Sequence, residues 1–335
     1  LLLGAARQFY FHISSFDLNY FTLKLIIQIP CFNEEKSLPL PLAALPREVP
    51  GFETVEWLVV DDGSTDGTSA VAKAHGVDHV VRHIRNQGLA RAFMTGISAC
   101  LREGADVILN TDADNQYDAS YIPQLTEPII KRKADLVVGA RPIDNIAHFS
   151  FLKKKLQRLG SWVVRVVSGT DIPDAPSGFR AFSKTMASHL MVYNDYTYTL
   201  ETIIQAGQLN MAIASVPIQT NGELRPSRLV KSIPNYIRQS IITLFRIFLI
   251  YRPFKFLSSI ASVFLVLGTV LGLRFLYYYL QSGDENAGHI QSLILAAVLL
   301  LFGFGTLLLA LIAEVLAANR KLAEDIRYRL SSHGF

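Results

Sequence analysis

The sequence predicts an α/β protein: a doubly wound, mostly parallel sheet, followed by an amphipathic juxtamembrane segment and two membrane-crossing helices. Three observations predict it. Between residues 24 and 220, apolar strand-like runs alternate with helical patterns, the rhythm of helices packed on both faces of a parallel sheet. Polar residues collect where those runs end, and such sheets bind ligands at the carboxyl ends of their strands. Near residue 253 the composition turns apolar for two long stretches.

The elements follow in order. LIIQIP (25–30) reads as a strand and residues 36–45 as a helix or loop. VEWLVVDD (55–62) is a strand, and STDGTSAVAKAHG (64–76) a helix, with Ser64 or Thr65 as its cap and Asp66 at its positive end. HVVRH (79–83) is a strand, GLARAFMTGISACLREG (88–104) a helix and DVILNTD (106–112) a strand. A helix runs through IPQLTEPIIKR, and DLVVGAR (135–141) is a further strand. Asn33 and Glu34 follow the first strand, Asp61 and Asp62 end the second, Asp112 and Asp114 end the fourth, and Arg141 ends the fifth. Scattered surface charge has no reason to gather on one edge.

The stretch ILNTDADNQYD (108–118) places three carboxylates at the end of an apolar run. A calcium loop of the EF-hand type needs a glycine at its sixth position and a bidentate Glu at its twelfth. Counted from Asp112, those positions hold Tyr117 and Pro123, so that reading fails. An Asp-x-Asp pair holding a divalent ion against a diphosphate is the other reading, and Asp118 then falls back to a helix-start residue. In VVDDGSTDGT, a carboxylate at the strand tip can accept from the edge of a nucleotide base, and a helix N-terminus suits anions. No G-x-G-x-x-G follows a strand and no GxxxxGK[ST] occurs, so dinucleotide and P-loop chemistry have no support.

Of the 335 residues, half are hydrophobic, with mean hydropathy +0.28. Cys31 and Cys100 form neither a disulfide framework nor a metal spacing, which fits a reducing compartment. Residues 254–280 and 290–318 each supply the 20 or so apolar residues that cross roughly 30 Å of hydrocarbon. The connector 281–289 is acidic, whereas Arg246, Arg252 and Lys255 flank one side and Arg320, Lys321, Arg327 and Arg329 the other. The positive-inside rule places both flanks, residues 1–250 and the tail 319–335 in the cytoplasm. Arg274 and Glu314 sit at unmatched depths in the two spans, so each is expected to snorkel to its nearer interface. Residues 1–23 are read as a leader or expression scar outside the fold. The stretch 225–253, with basic residues among apolar and aromatic ones, suits a helix lying in the membrane interface.

IIQIPCFNEE, VVDDGSTDGT, NTDADNQYD, VVGAR and DAPSGFRAF, in that order, resemble the family 2 glycosyltransferases of GT-A fold. With the basic juxtamembrane segment and two C-terminal spans, the chain is similar to the polyprenyl-phosphate sugar transferases, over about residues 24–318. The resemblance implies a catalytic domain over 24–224 and a role for each motif residue. Pro30, Asn33 and Glu34 line the nucleotide pocket; Asp62 contacts the base with Asp61 nearby; Arg141 faces phosphate. Asp112 and Asp114 hold Mg²⁺ or Mn²⁺ on the sugar-nucleotide diphosphate, with Gln116 a third ligand. Asp174 lies near the acceptor, Arg180 is structural, and Arg225, Arg228 and Lys231 take the lipid phosphate, although the spacing around Ser227–Arg228 departs from the family's.

The chemistry agrees with these residue types. Expelling a diphosphate builds charge on the leaving oxygen, which a divalent cation stabilises. Mg²⁺ usually takes one or two carboxylates plus substrate phosphates. A phosphate monoester, with a second pKa of about 6, is largely ionised already, so Asp174 is expected to orient the acceptor or take a residual proton. The expected reaction is inverting transfer of glucose from UDP-glucose to an undecaprenyl or dolichyl phosphate, with mannose from GDP-mannose as the alternative. The bilayer is a partner, nucleic acid is not, and self-association is compatible with the sequence. A processive polysaccharide synthase is disfavoured because no Q-x-x-R-W motif occurs. A catalytically idle membrane scaffold is disfavoured by the intact Asp112, Asp114, Arg141 and Asp174.

Overall fold

A computed structural model describes residues 23–142, 151–192, 198–221, 233–282 and 290–332. Seven strands form one sheet: β1 (Lys24–Cys31), β2 (Thr54–Asp61), β3 (His79–Arg82), β4 (Val107–Asn110), β5 (Leu136–Ala140), β6 (Arg180–Ser183) and β7 (Ile213–Pro217). Their spatial order is β3-β2-β1-β4-β6-β5-β7. All pairings are parallel except the two made by β6, which runs against β4 and β5. The first five strands fall within two residues of their expected limits. The reversed strand β6, strand β7 and the helices between residues 151 and 208 were not anticipated.

The helices are α1 (Pro39–Ala44), α2 (Thr68–Ala74), α3 (Leu89–Arg102), α4 (Ile122–Ile130), α5 (Phe151–Ser168), α6 (Lys184–His189), α7 (Thr199–Gln208), α8 (Ile233–Tyr251), α9 (Pro253–Ser282) and α10 (Ile290–Ser332). Two hydrophobic cores lie on opposite faces of the sheet, as strand alternation demands. Ile26, Leu58, Val60, Ile108 and Val138 face α3, α5, α6 and α7. Leu25, Ile27, Ile29, Val59, Leu109 and Val137 face α1, α2 and α4.

The order of strand placement reverses between β1 and β4: β2 and β3 are laid down on one side of β1, and β4, parallel to it, on the other. This is a switch point, where doubly wound sheets open a crevice at the strands' carboxyl ends. Pro30 helps to open it. The Thr111 amide donates to the Gln28 carbonyl and the Asp62 amide to the Cys31 carbonyl, so Gln28 faces β4, Cys31 faces β2, and Pro30 faces β4. Lacking an N–H, Pro30 cannot extend the ladder, and pairing of β1 with β4 stops at Gln28–Asn110.

At the C-terminus, α9 and α10 pack as a hairpin. A Cβ at Gly268 would lie 2.9 Å from Leu300 Cγ, and one at Gly303 2.8 Å from Leu265 Cγ, so both glycines let the helices approach closely, as in membrane helix pairs. Pro253–Gln281 and Ile290–Ala323 are long and apolar enough to cross a membrane, and only 11% and 17% of their most apolar windows are buried. A buried core helix would show the opposite. The tail that was expected to begin at residue 319 instead continues as helix to Ser332, which makes α10 43 residues long, roughly 64 Å at helical rise. Arg320 in this extension lies over the Tyr251 ring at 4.5 Å. The segment 225–253, expected at the membrane interface, contains α8, whose described residues Ile242, Phe245 and Leu249 are exposed on one helical face.

Candidate active site

Five segments meet at the carboxyl edge. After β1, Asn33 takes a left-handed φ of 55°, which asparagine tolerates. Its amide donates to Ser64 Oγ (2.9 Å), and its Oδ1 accepts from the Thr65 amide (2.9 Å). Glu34 is buried; its amide donates to Thr68 Oγ1 (2.9 Å), and its carboxylate accepts from the Ser37 hydroxyl. The expected helix at 64–76 therefore begins only at Thr68. Ser64 and Thr65 serve Asn33 instead of capping, and Asp66 Oδ1 accepts from the Thr68 amide at 3.1 Å.

Asp61 is turned into the protein. With no exposure, it accepts from the Ser64 amide (2.8 Å) and the Ser69 hydroxyl, and pairs with Arg82 at 3.5 Å. This corrects the expectation that it lines a nucleotide pocket, because its acceptor positions serve the β2 turn. Asp62, also buried, accepts from His83 Nδ1 (2.7 Å) and the amides of Gln87 (2.9 Å) and Gly88 (2.8 Å).

Asp112 and Asp114 follow β4, both half-buried. Asp114 Oδ1 accepts from the Gln116 amide at 3.1 Å, and Asn115 between them has φ 56°. The turn is pinned from outside: Asn221 donates to the carbonyls of Asn115 (3.0 Å) and Gln116 (2.9 Å). Asp118 caps the short helix 119–121 by accepting from the Ser120 amide at 2.9 Å, the role expected of it. Burial pushes the Asp112 carboxyl up to about 7; the Asp114 charge adds to this, and Arg141 and Arg180 oppose it.

The DAPSGFR segment reaches this edge because β6 runs backwards, so that its first residue, Arg180, pairs with Asn110. The Gly178 amide donates to Tyr117 Oη (2.9 Å), and the Gly178 carbonyl accepts from Asn110 Nδ2 (2.9 Å). A Cβ on Gly178 would lie 3.0 Å from Asp112 Oδ2 and from Tyr198 Oη. Tyr198 stacks on Phe93 at 3.9 Å and is bonded by Asn110 Nδ2 at 2.8 Å. Arg180 is fully buried and donates to the carbonyls of Ser177 (2.7 Å), Thr199 (2.6 Å) and Ala175 (2.5 Å) and to Thr202 Oγ1 (2.5 Å). Burial lowers it to about 10, so it stays charged near neutrality and frames the loop, the structural role expected of it.

Arg141 and Asp174 meet in a forked pair, Nε to Oδ2 at 2.7 Å and Nη2 to Oδ1 at 3.1 Å. The Asp174 side chain has no exposure and that of Arg141 12%. Burial pulls the Arg141 guanidinium down, but Tyr117 and Asp174 outweigh it and hold the group above its ordinary value. This corrects the proton-acceptor expectation for Asp174: its carboxylate is enclosed and taken by Arg141. The guanidinium carries five N–H donors, so two remain engaged with Asp174 while others are left for an anion.

The residues fit a divalent ion. Two carboxylates share one tip, and burial, with the Asp114 charge added to it, raises Asp112, a penalty that a cation relieves. Among the described residues no three His, Cys, Asp or Glu side chains gather as a metal cage, so an ion held here would need further ligands, such as substrate phosphates, to complete its shell. Gln116 stands beside the pair. Arg225, Arg228 and Lys231 lie outside the described residues. Sequence reasoning missed His83, Tyr117, Tyr198 and Gly178. His83 directly follows β3 on the same edge and was within reach of the strand-tip rule; the tyrosines carry no local signal.

A switch-point crevice with an Asp-x-Asp tip and an Arg–Asp fork on its edge is the ligand-binding plan of a doubly wound α/β enzyme. Residues 26–191 match glycosyl transferase family 2. The chain is 30% identical over 206 residues to an undecaprenyl-phosphate mannosyltransferase of Micrococcus luteus, covering 58% of this chain and 83% of that one. It is 30% identical over 214 residues to a UDP-N-acetylglucosamine–dolichyl-phosphate N-acetylglucosaminyltransferase of Methanococcus voltae, covering 57% and 83%. The fold is similar to glucosyl-3-phosphoglycerate synthase from Mycobacterium tuberculosis, solved with Mn²⁺ and UDP, at TM-score 0.52 and 19% identity over 66% of this chain and 80% of that one. The chain belongs to glycosyl transferase family 2.

Proposed function

We propose that the protein transfers a hexosyl group from a nucleoside diphosphate sugar to a polyprenyl phosphate at the membrane surface, with inversion. The observation that carries this reading is the Asp112–Asp114 tip beside the Arg141–Asp174 fork, on a domain followed in the chain by two apolar helices. The relatives named for undecaprenyl and dolichyl phosphate support the lipid acceptor.

Asp112 and Asp114, with Gln116 as a third candidate, would hold Mg²⁺ or Mn²⁺ together with the donor diphosphate. When bound, the cation supplies Lewis-acid stabilisation of the leaving charge. The chain's own residues do the rest. Arg141, aimed by Asp174, offers N–H groups to phosphate, and charge-assisted bonds of this kind are the strong ones. Pro30, Asn33 and Glu34 shape the floor of the crevice, and Asp62 shapes its nucleotide end. Arg225, Arg228 and Lys231 receive the lipid phosphate at the bilayer surface, and α8 lies in the interface. No general base is required, because the acceptor phosphate is already ionised.

The donors to try are UDP-glucose, favoured by the wording of DAPSGFRA and RPSRL, and GDP-mannose and UDP-N-acetylglucosamine, favoured by the relatives' names. Each is incubated with Mn²⁺, a polyprenyl phosphate and the membrane-reconstituted chain, and the lipid product is identified by mass. One dominant lipid-linked hexose supports the proposal. Sugar release to water alone would refute the lipid acceptor.

A further inference from the structure

The loop at 84–87 is exposed, yet its anchors are buried. Asp62 accepts three hydrogen bonds there, from His83 Nδ1, Gln87 N and Gly88 N. On the other side of the ring, His83 Nε2 lies 3.0 Å from Thr95 Oγ1 on α3. The His83 and Asp62 side chains are only 9% and 4% exposed. Gly63, at φ 71°, makes room for the same loop: a Cβ there would lie 2.4 Å from the Arg85 carbonyl carbon and 2.6 Å from the Asn86 nitrogen. The backbone of 85–88 thus rests on the DDG turn, and one buried imidazole–carboxylate pair fixes its shape.

The chemistry sets the ring's orientation. An ionised carboxylate only accepts, so Nδ1 carries the proton toward Asp62, and Nε2 makes the ring's second polar contact, with the Thr95 hydroxyl. Loss of the ring leaves Asp62 with two backbone donors and leaves Thr95 without this partner. A buried carboxylate deprived of a bond turns or rehydrates, and the Gln87 and Gly88 amides move with it.

We infer that His83 is a positioning residue for donor binding: it clasps Asp62, and through it sets the 84–88 loop that walls the nucleotide end of the crevice. The inference rests on the proposed nucleoside diphosphate sugar donor.

Three substitutions separate positioning from a general contribution to stability. His83→Asn keeps an N–H donor where Nδ1 stands. His83→Gln carries its amide out to where Nε2 stands and withdraws the donor from Asp62. His83→Ala removes both. With the full chain in nanodiscs, His83→Gln and His83→Ala raise donor KM about tenfold while kcat changes by less than about threefold, and His83→Asn recovers most of the loss. Amide exchange, measured without substrate, quickens at Gln87 and Gly88 in His83→Gln and His83→Ala but not in His83→Asn. Unshifted donor KM in all three variants overturns the inference. So does an equal KM rise in all three that follows thermal stability. If His83→Ala does not fold, the contrast between His83→Asn and His83→Gln decides alone. Failure of the wild type to make a lipid-linked sugar from any donor sinks the proposed function; a working wild type with indifferent variants sinks the clasp.

Discussion

Arg141 and Asp174 are locked together at the sheet edge, with the Arg141 amide adding a third bond to Asp174 Oδ2 at 3.1 Å. The carboxylate is therefore occupied by the guanidinium and the backbone of Arg141. Asp174→Asn lowers activity by the same factor at pH 6 and pH 8, about tenfold or more for a lost charge-assisted pair. Initial rates at the two pH values check this. A loss confined to acid pH would restore the proton-acceptor role.

The raised Asp112 carboxyl sets a pH dependence. A group whose pKa rises from 3.8 to about 7 on folding contributes stability that is full below the lower value and is lost as pH climbs through the higher one. The metal-free protein should therefore melt at lower temperature at pH 8 than at pH 5, as far as this group decides. A divalent ion must displace the proton, so Mn²⁺ raises the melting temperature more at pH 8 than at pH 5. Asp112→Asn flattens both trends. Thermal melts with and without Mn²⁺ across this range provide the check.

Gly178 leaves no room for a side chain beside Asp112 and Tyr198. Gly178→Ala pushes the Asp112 carboxylate by a few tenths of an ångström, and misplacement of this kind costs roughly tenfold or more in rate. Stability should fall by less than about 1.5 kcal/mol. Activity falling far more than melting temperature is the expected pattern.

The helix hairpin depends on Gly268 and Gly303. Leucine at either position overfills the seam against Leu300 or Leu265 and destabilises the hairpin by about 1–3 kcal/mol. Limited proteolysis of the chain in bilayers should show faster cleavage between the spans, whereas leucine at Gly272, where a Cβ meets nothing within 4 Å, leaves it unchanged.

Much of this was legible in the sequence, for stated reasons. Strands β1 to β5 announced themselves through apolar runs with polar tips, and the spans through length. The Asp112–Asp114 turn was legible because a pair of acids has no reason to end a buried strand. The reversal of β6 was not, since a four-residue strand reading RAFS carries no direction; only pairing with both β4 and β5 reveals it. The fates of Asp61 and Asp174 were hidden for the same reason. Sequence places a carboxylate at a strand tip, but Ser69, Arg82 and Arg141 decide where its oxygens point.

Sugar transfer to a lipid phosphate at the Asp112–Asp114 tip is tested most directly by one comparison. The wild-type chain and Asp114→Asn, matched for melting temperature in nanodiscs, receive Mn²⁺, a polyprenyl phosphate and the best donor from the screen, and lipid-linked hexose is counted by mass. The wild type should accumulate product, and Asp114→Asn should make it at least about a hundredfold more slowly. Equal rates from the two proteins would contradict the assignment.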